Sequence, residues 1–423
     1  MTMFRPGRRA LLAGIAATTI TITAASCGSE SGSGSADAFE IWLPAPQGAG
    51  TTQEEQSFYQ DMLQPFADEH GITVNLTMVP WGSYEEKYLT GISSGDGPHM
   101  GYMYAEMLGD YVQHGAIAPL DDLLSEETIA RMTYIDEGQM DGVQYSLPYV
   151  VGNPRLIWAN MSVLAEAGIE TLPGTWEEFN VAATTVSQET DKYGVMMPWG
   201  NASRGMMNSC FFPFLWQAGG DIFTEDTSAT AFNSEAGLAA ADFLMGLFDS
   251  GAMPGIVTGM NSDEVEASFL DGQCAFITGG STLLPILEEG GIEAEFIDSL
   301  TNQGKATFMA NDGLIITEAC PNKELAGKML EHWTSAENMA RFHAEVAEFP
   351  PIAEDEEDDP DDPFADVYEQ SDMLRGLPIV ANGNAVYNTL YQNLQQMLLG
   401  QKSPAQALQD AAAAGDSMLG MGA

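Results

Sequence analysis

Residues 142–168 read GVQYSLPYVVGNPRLIWANMSVLAEAG. Within this stretch, 145–151 (YSLPYVV) is rich in aromatic and β-branched residues, the composition of an extended strand. Gly152-Asn153-Pro154 interrupts that pattern. Leu156-Ile157-Trp158 is apolar again, and 161–167 has helical spacing before a stop at Gly168. One α/β unit ends here and another begins. The stretch therefore predicts a crossover strand between two lobes, with a ligand cleft beside it.

Working outward, the upstream chain alternates strands and helices. Residues 39–43 (FEIWL) form a strand leading into loop 44–50, and 53–70 a helix stopped by Gly71. A second strand at 72–79 precedes a helix at 84–92, a turn cluster at 93–98 and a short strand at 100–103. This order predicts a mainly parallel sheet covered on both faces. Downstream, Thr175 with Glu178 three residues on is a helix start. Strands are expected at 193–197 and 274–278, and helices at 211–217, 234–250, 322–334, 336–345, 384–399 and 403–414. Residues 307–317 (TFMANDGLIIT) read as strand, kink, strand, and so as the return crossover. At 423 residues the chain exceeds one ordinary core. The expected division is 38–147 with 311–350 in lobe 1, and 148–310 with 351–423 in lobe 2, so neither lobe is contiguous.

Asp and Glu number 61 against 14 Lys and Arg, a net charge of −47. Such a surface repels nucleic acid and anionic lipid. Solubility accounts for this acidity; life in high salt, where screening weakens self-repulsion, accounts for it better given so few Lys. The first 26 residues read as a signal peptide. Arg5, Arg8 and Arg9 are basic, 10–26 is uncharged, and Ala24-Ala25-Ser26-Cys27 resembles a lipobox with Cys27 as the lipidated residue. Arg8-Arg9 suits either twin-arginine or ordinary secretory export. Residues 27–37 are the lipidated Cys and a flexible Gly/Ser tether. The protein is thus expected on the outer face of the cytoplasmic membrane, held only by its lipid. Cys210, Cys274 and Cys320 allow one bridge and a free thiol or no bridge, and read best as buried small hydrophobes.

Several blocks in this order resemble the extracellular solute-binding proteins of carbohydrate ABC transporters, the family of the maltose/maltodextrin-binding proteins. They are Ser94-Gly95-Asp96-Gly97-Pro98 with Pro119-Leu120-Asp121, Thr175-Trp176-Glu177-Glu178-Phe179, residues 269–276 (FLDGQCAF), Pro321-Asn322-Lys323-Glu324-Leu325-Ala326, and Leu399-Gly400 followed by 403–408 (SPAQAL). His99 stands where that family usually has Asp. The resemblance implies an α/β, two-lobed periplasmic-binding-protein fold (type II) with lobes joined by several hinge crossovers. It also implies a sugar in the cleft, permease subunits as partner, no cofactor and a monomer.

A sugar site needs planar polar groups for vicinal hydroxyls and aromatic rings for the apolar sugar face. The expected ligand-binding residues are Gln47 after the first strand, Tyr104 and Glu106 after the third, Asn153 in the crossover turn, and Asn208 and Ser209 before the aromatic helix. Ser281 and Thr282 follow Gly279-Gly280, where maltodextrin binders carry an aromatic residue, which points to a smaller or different sugar. Tyr387 and Tyr391 share a helix face, and Trp81 and Trp199 sit in strand-end loops. Each has a structural reading too. Trp81 and Trp199 divide evenly between site and core, Asn153 suits a turn before Pro154, and the two tyrosines suit helix packing. Trp42, Trp158, Trp176 and Trp216 read as core.

No catalytic residues and no metal site are expected. Gly91-Ile92-Ser93-Ser94-Gly95 matches G-x-S-x-G but follows a helix, the five histidines form no close pair, and the acidic run 354–363 lacks EF-hand spacing. The other readings are a non-sugar solute such as glycerol phosphate, for which Arg155 and Arg204 are the basic candidates, and a cell-surface carbohydrate hydrolase.

Overall fold

The structure is a computed structural model and describes residues 38–47, 50–200, 207–357 and 359–420. The strands of its two larger sheets are Ala38–Ala45 (β1), Thr73–Pro80 (β2), Met100–Met103 (β3), Leu147–Gly152 (β4), Leu156–Asn160 (β5), Tyr193–Met196 (β6), Cys274–Gly279 (β7), Ala294–Ile297 (β8) and Ala310–Ile316 (β9). The helices that position the site are Thr52–His70 (α1), Tyr84–Ser94 (α2), Ala105–Gln113 (α3), Trp176–Glu189 (α4), Phe212–Gln217 (α5), Ser262–Leu270 (α6), Lys323–Trp333 (α7) and Gly383–Leu398 (α8).

Local chemistry accounts for the helix boundaries. Thr51 and Glu54 form a capping box at the start of α1, and Gly71 ends it in the left-handed conformation. Thr175 and Glu178 do the same at the start of α4. The buried faces then sort the elements into two sheets. One has the order β2-β1-β3-β9-β4, with β1 parallel to β2 and β3. In it β9 runs antiparallel to both β3 and β4. The second has the order β8-β5-β7-β6, with β5 antiparallel to β7 and β8, and only β6 parallel to β7.

The mainly parallel sheet expected of the upstream chain holds for β1 to β3, to which β9 and β4 add antiparallel, and the second sheet is mostly antiparallel. There β7 and β8 do not follow β5 through a single βαβ step. They return from long excursions, and the hydrophobic faces alone do not fix strand direction. The handover point also moves. An expected boundary between 147 and 148 falls inside β4, which stays in the first sheet to Gly152.

Each sheet has its own core. Tyr59, Tyr149, Trp333 and Phe342 are buried in the first, and Trp158, Phe179, Phe211 and Tyr387 in the second. The chain passes between them at Gly152-Asn153, between Ala310 and Leu314, and between Ala353 and Phe364. Gly152 has φ 140° and Asn153 φ 49°. A side chain at Gly152 would also strike Pro350, 2.7 Å from an added Cβ. Only a glycine serves there.

Cys210, Cys274 and Cys320 are buried, in keeping with the reading of small hydrophobes. Burial pushes the Cys210 and Cys274 thiols up to about 12, so neither is a thiolate at neutral pH. Trp42, Trp158, Trp176 and Trp216 are all core residues. No helix among the described residues is long and apolar enough to cross a membrane.

Gly101 in β3 lets the chain pass beneath Tyr88. An added Cβ would lie 2.1 Å from the Tyr88 hydroxyl and 2.7 Å from the Trp42 carbonyl oxygen. Backbone cannot yield as a side-chain tip does. Gly101→Ala is expected to lower stability by about 1–3 kcal/mol, read as a lower urea midpoint; an unchanged midpoint would show that β3 has room to shift.

Candidate functional site

A cleft of about 500 Å³ lies between the two sheets, and residues from both line it. On the first wall, the loop after β1 brings Gln47, whose side-chain amide donates to the Tyr59 hydroxyl (2.9 Å) and whose backbone N–H donates to Glu55 (2.7 Å). Trp81 follows β2. Its indole N–H donates to the Pro46 carbonyl oxygen at 2.7 Å, which fixes the ring while leaving it 44% exposed. Behind Trp81 stand Tyr84, Tyr102 and Tyr104, with centroids 5.7, 5.9 and 6.4 Å away. The end of β3 and the start of α3 supply Tyr104 and Glu106. Tyr104 donates its hydroxyl to Glu85, and Tyr102 donates to Asp312 of β9.

At the foot of the cleft the crossovers meet around Arg155. Its backbone N–H donates to the Phe308 carbonyl (2.9 Å), and its carbonyl accepts from Thr307. Its guanidinium donates to the Asn153 carbonyl (2.8 Å) and to Asn208 Oδ1 (3.2 Å), and lies 5.3 Å from the Phe308 ring centroid. The second wall carries Asn208 and Ser209 from the short helix Met207–Cys210, Thr278 and Gly279 from β7, then Gly280 and Thr282, with Asp263 and Glu266 of α6 near the rim.

The site is acidic, and Glu106 and Asp312 within it are buried. Burial, then the neighbouring Glu106 charge, pushes the Asp312 carboxyl up to about 7, against the opposing pull of the Tyr102 hydroxyl and Arg155. Burial, helped by Asp263, pushes Glu266 up to about 7 as well. Among the described residues no cluster of His, Cys, Asp and Glu has the arrangement of a metal site.

Of the residues expected from sequence, the structure brings Gln47, Trp81, Tyr104, Glu106, Asn153, Asn208, Ser209 and Thr282 to the cleft. Four others are placed elsewhere. Tyr387 is buried between Phe212 and Phe223, each with its centroid 5.7 Å away. Tyr391 is also buried and donates its hydroxyl to the Trp199 carbonyl at 2.7 Å. Trp199 itself is 1% exposed in the second core. Tyr387 and Tyr391 belong to the buried face of α8, and Trp199 packs against that face, its carbonyl accepting from Tyr391 and Gln395. Ser281 is buried beside the cleft, its hydroxyl 3.4 Å from Asn153 Oδ1, so it positions the turn rather than facing the cavity. Cys27 and Arg204 lie outside the described residues.

The sequence reading missed Tyr102, Asp312, Glu85 and the acids of α6, and gave Arg155 only to an anionic ligand. A signal existed for Asp312, the one acid in an otherwise uncharged strand of seven residues. No local pattern marked Tyr102, since a tyrosine in a buried strand reads as core.

Several comparisons extend this geometry. A model described as bacterial extracellular solute-binding protein matches residues 49–340. A binding protein of Brucella abortus is 24% identical over 397 residues, 91% of this chain and 94% of the relative. The galactooligosaccharide-binding protein of Bacillus subtilis is 22% identical over 375 residues, 85% of this chain and 86% of the relative. Among solved structures, an ABC transporter solute-binding protein from Thermotoga lettingae bound with α-D-tagatose superposes with a TM-score of 0.74 at 21% identity, covering 91% of this chain and all of that one. That likeness establishes the two-lobed fold.

The raised Asp312 group predicts a pH effect on stability. Its folded pKa, about 7, lies above the unfolded value of about 3.9. The folded state thus holds this proton more tightly, and the cost of ionising the carboxyl inside the fold grows between those two values and is complete above them. Asp312→Asn is expected to raise the melting temperature relative to the parent at pH 8, and to leave the two equal near pH 4. A difference independent of pH would place the effect in packing instead.

Proposed function

The chain belongs to the bacterial extracellular solute-binding protein family, and from that premise we propose that it captures a carbohydrate between its lobes and delivers it to an ABC importer. The observation that carries this reading is the composition of the cleft. Side-chain amides from Gln47, Asn153 and Asn208 and the carboxylates of Glu106 and Asp312 border one cavity with the exposed face of Trp81. Amides and carboxylates fork onto vicinal hydroxyls, and an indole face covers the apolar side of a pyranose. The galactooligosaccharide and the tagatose named for two relatives belong to the same chemical class.

The lobes in this reading are 38–152 with 310–353, and 156–308 with 364–420. Closure is a hinge motion at the segments between them, and sugar shifts the balance toward the closed form because only that form contacts it from both walls. The permease would recognise the closed form. An anionic solute such as glycerol phosphate fits poorly, because the one cation among the described lining residues is already bonded to Asn153 and Asn208. Family membership places the working protein outside the cytoplasm. There we take it to be a monomer held to the membrane by lipid on Cys27, with 28–35 as tether.

Calorimetry against a sugar panel, with chromatography of the mixtures, tests the reading. At least one mono- or oligosaccharide is expected to bind and to be recovered intact; turnover of a glycoside, or a phosphate ester as the only ligand, would remove it. Trp81→Ala is expected to weaken binding about tenfold through loss of the stacking face, whereas Tyr387→Phe should leave affinity unchanged. If Cys27→Ala cells retain the protein in washed membranes, the lipid anchor is excluded.

A further inference from the structure

The cleft is lined by acids on both sides: Glu85, Glu106 and Asp312 on the first wall, Asp263 and Glu266 on the second. General acidity of the chain explains acids that water can solvate. It does not explain Glu106 and Asp312, which are 6% and 8% exposed and sit close enough for the first to raise the second. Two carboxylates buried side by side are costly. Arg155 offsets part of this, but its guanidinium is turned to Asn153 and Asn208.

Rings are interleaved with these acids. Tyr104 is hydrogen-bonded to Glu85 and Tyr102 to Asp312, and Trp81 stands against both tyrosines. Because the Trp81 N–H is occupied by Pro46, the cleft meets the face of the ring rather than its donor. An aromatic face has negative potential and attracts cations. Carboxylates beside such faces are the surroundings that hold an ammonium group, and they repel phosphate, sulfate or a uronate.

We infer that the solute is an amino sugar, whose protonated amine seats against the first wall among Trp81, Tyr104 and the buried acids while its hydroxyls meet the amides. The inference rests on the sugar reading above and narrows it. A cation at this place relieves the repulsion between Glu106 and Asp312 and adds charge-assisted hydrogen bonds that a neutral sugar does not form. Binding should also release protons, because a nearby positive charge lowers the carboxyl pKa values.

The test is calorimetric titration of the full chain with sugars matched except at one substituent. The sets are glucosamine with glucose and N-acetylglucosamine, galactosamine with galactose, and the chitosan disaccharide with cellobiose and diacetylchitobiose. The amine-bearing member of at least one set is expected to bind about tenfold tighter than its neutral partners. That advantage should fall as the pH is raised past the titration of the amine, and proton release should appear as a dependence of the heat on buffer ionisation. Glu85→Gln should narrow the ratio of amine to neutral affinity; if that variant does not fold, Glu106→Gln, on the same wall, is read in the same way. Equal or weaker binding of the amine in every set that binds overturns the inference and leaves the sugar reading standing. No binding by any amine-bearing sugar also overturns it, and the neutral members and the wider panel then decide the sugar reading separately.

Discussion

The geometry of the cleft depends on how two crossovers are tied together at Arg155. The chain leaves the first sheet at Gly152-Asn153 in a backbone conformation that ordinary side chains avoid. It is then fastened to the returning segment by hydrogen bonds on both sides of Arg155, one to Phe308 and one from Thr307. Both use the backbone of Arg155, its N–H donating to the Phe308 carbonyl and its carbonyl accepting from the Thr307 hydroxyl, at the boundary between two cores where unpaired backbone groups would be costly. The Arg155 side chain reaches Asn208, so the second wall is keyed to the same point. A hinge needs segments that bend without slipping. Pairing the two crossovers to each other allows rotation while keeping their register.

From this pivot the walls differ in kind. The first is a row of rings packed tilted or edge to face; Tyr102 and Tyr104 direct their hydroxyls at carboxylates, and Tyr84 and Tyr88 donate to the Tyr102 carbonyl. Such a wall is rigid, because each ring is fixed by neighbours and by its own polar tip. The second wall is built from loop ends and small residues, Gly279-Gly280 and Thr282, which leave space. A rigid aromatic surface facing an open polar one suits capture by the first and closure by the second. The strong negative charge of the chain adds a condition: in salt, long-range repulsion between exposed charges fades, while interactions among the buried groups of the cleft are screened much less.

Much of the site was legible because loops at strand ends carry polar residues whose role is hard to mistake. Gln47, Asn153 and Asn208 are amides at breaks between elements, and Glu106 opens a helix directly after a strand. The errors share one cause. Tyr387, Tyr391 and Trp199 were candidates because aromatic rings stack on sugars, yet the same rings fill cores, and helical spacing says only that they share a face. Which way that face points is set by what α8 packs against. Tyr102 was missed for the converse reason: its ring lies in the core and only its hydroxyl, through Asp312, bears on the cleft.

Local chemistry by itself determined the helix boundaries, since capping boxes at Thr51 and Thr175 and the left-handed stop at Gly71 are short-range effects. It also marked the break at Asn153, whose positive φ follows the last residue of β4. Only the tertiary structure decided the direction of the strands in the second sheet, the depth of each aromatic ring and the company of Asp312. Those depend on interactions between residues more than a hundred positions apart, such as Tyr102 with Asp312 and Arg155 with Phe308. Hydrophobic periodicity fixes which face of an element is buried, but not which other element covers it.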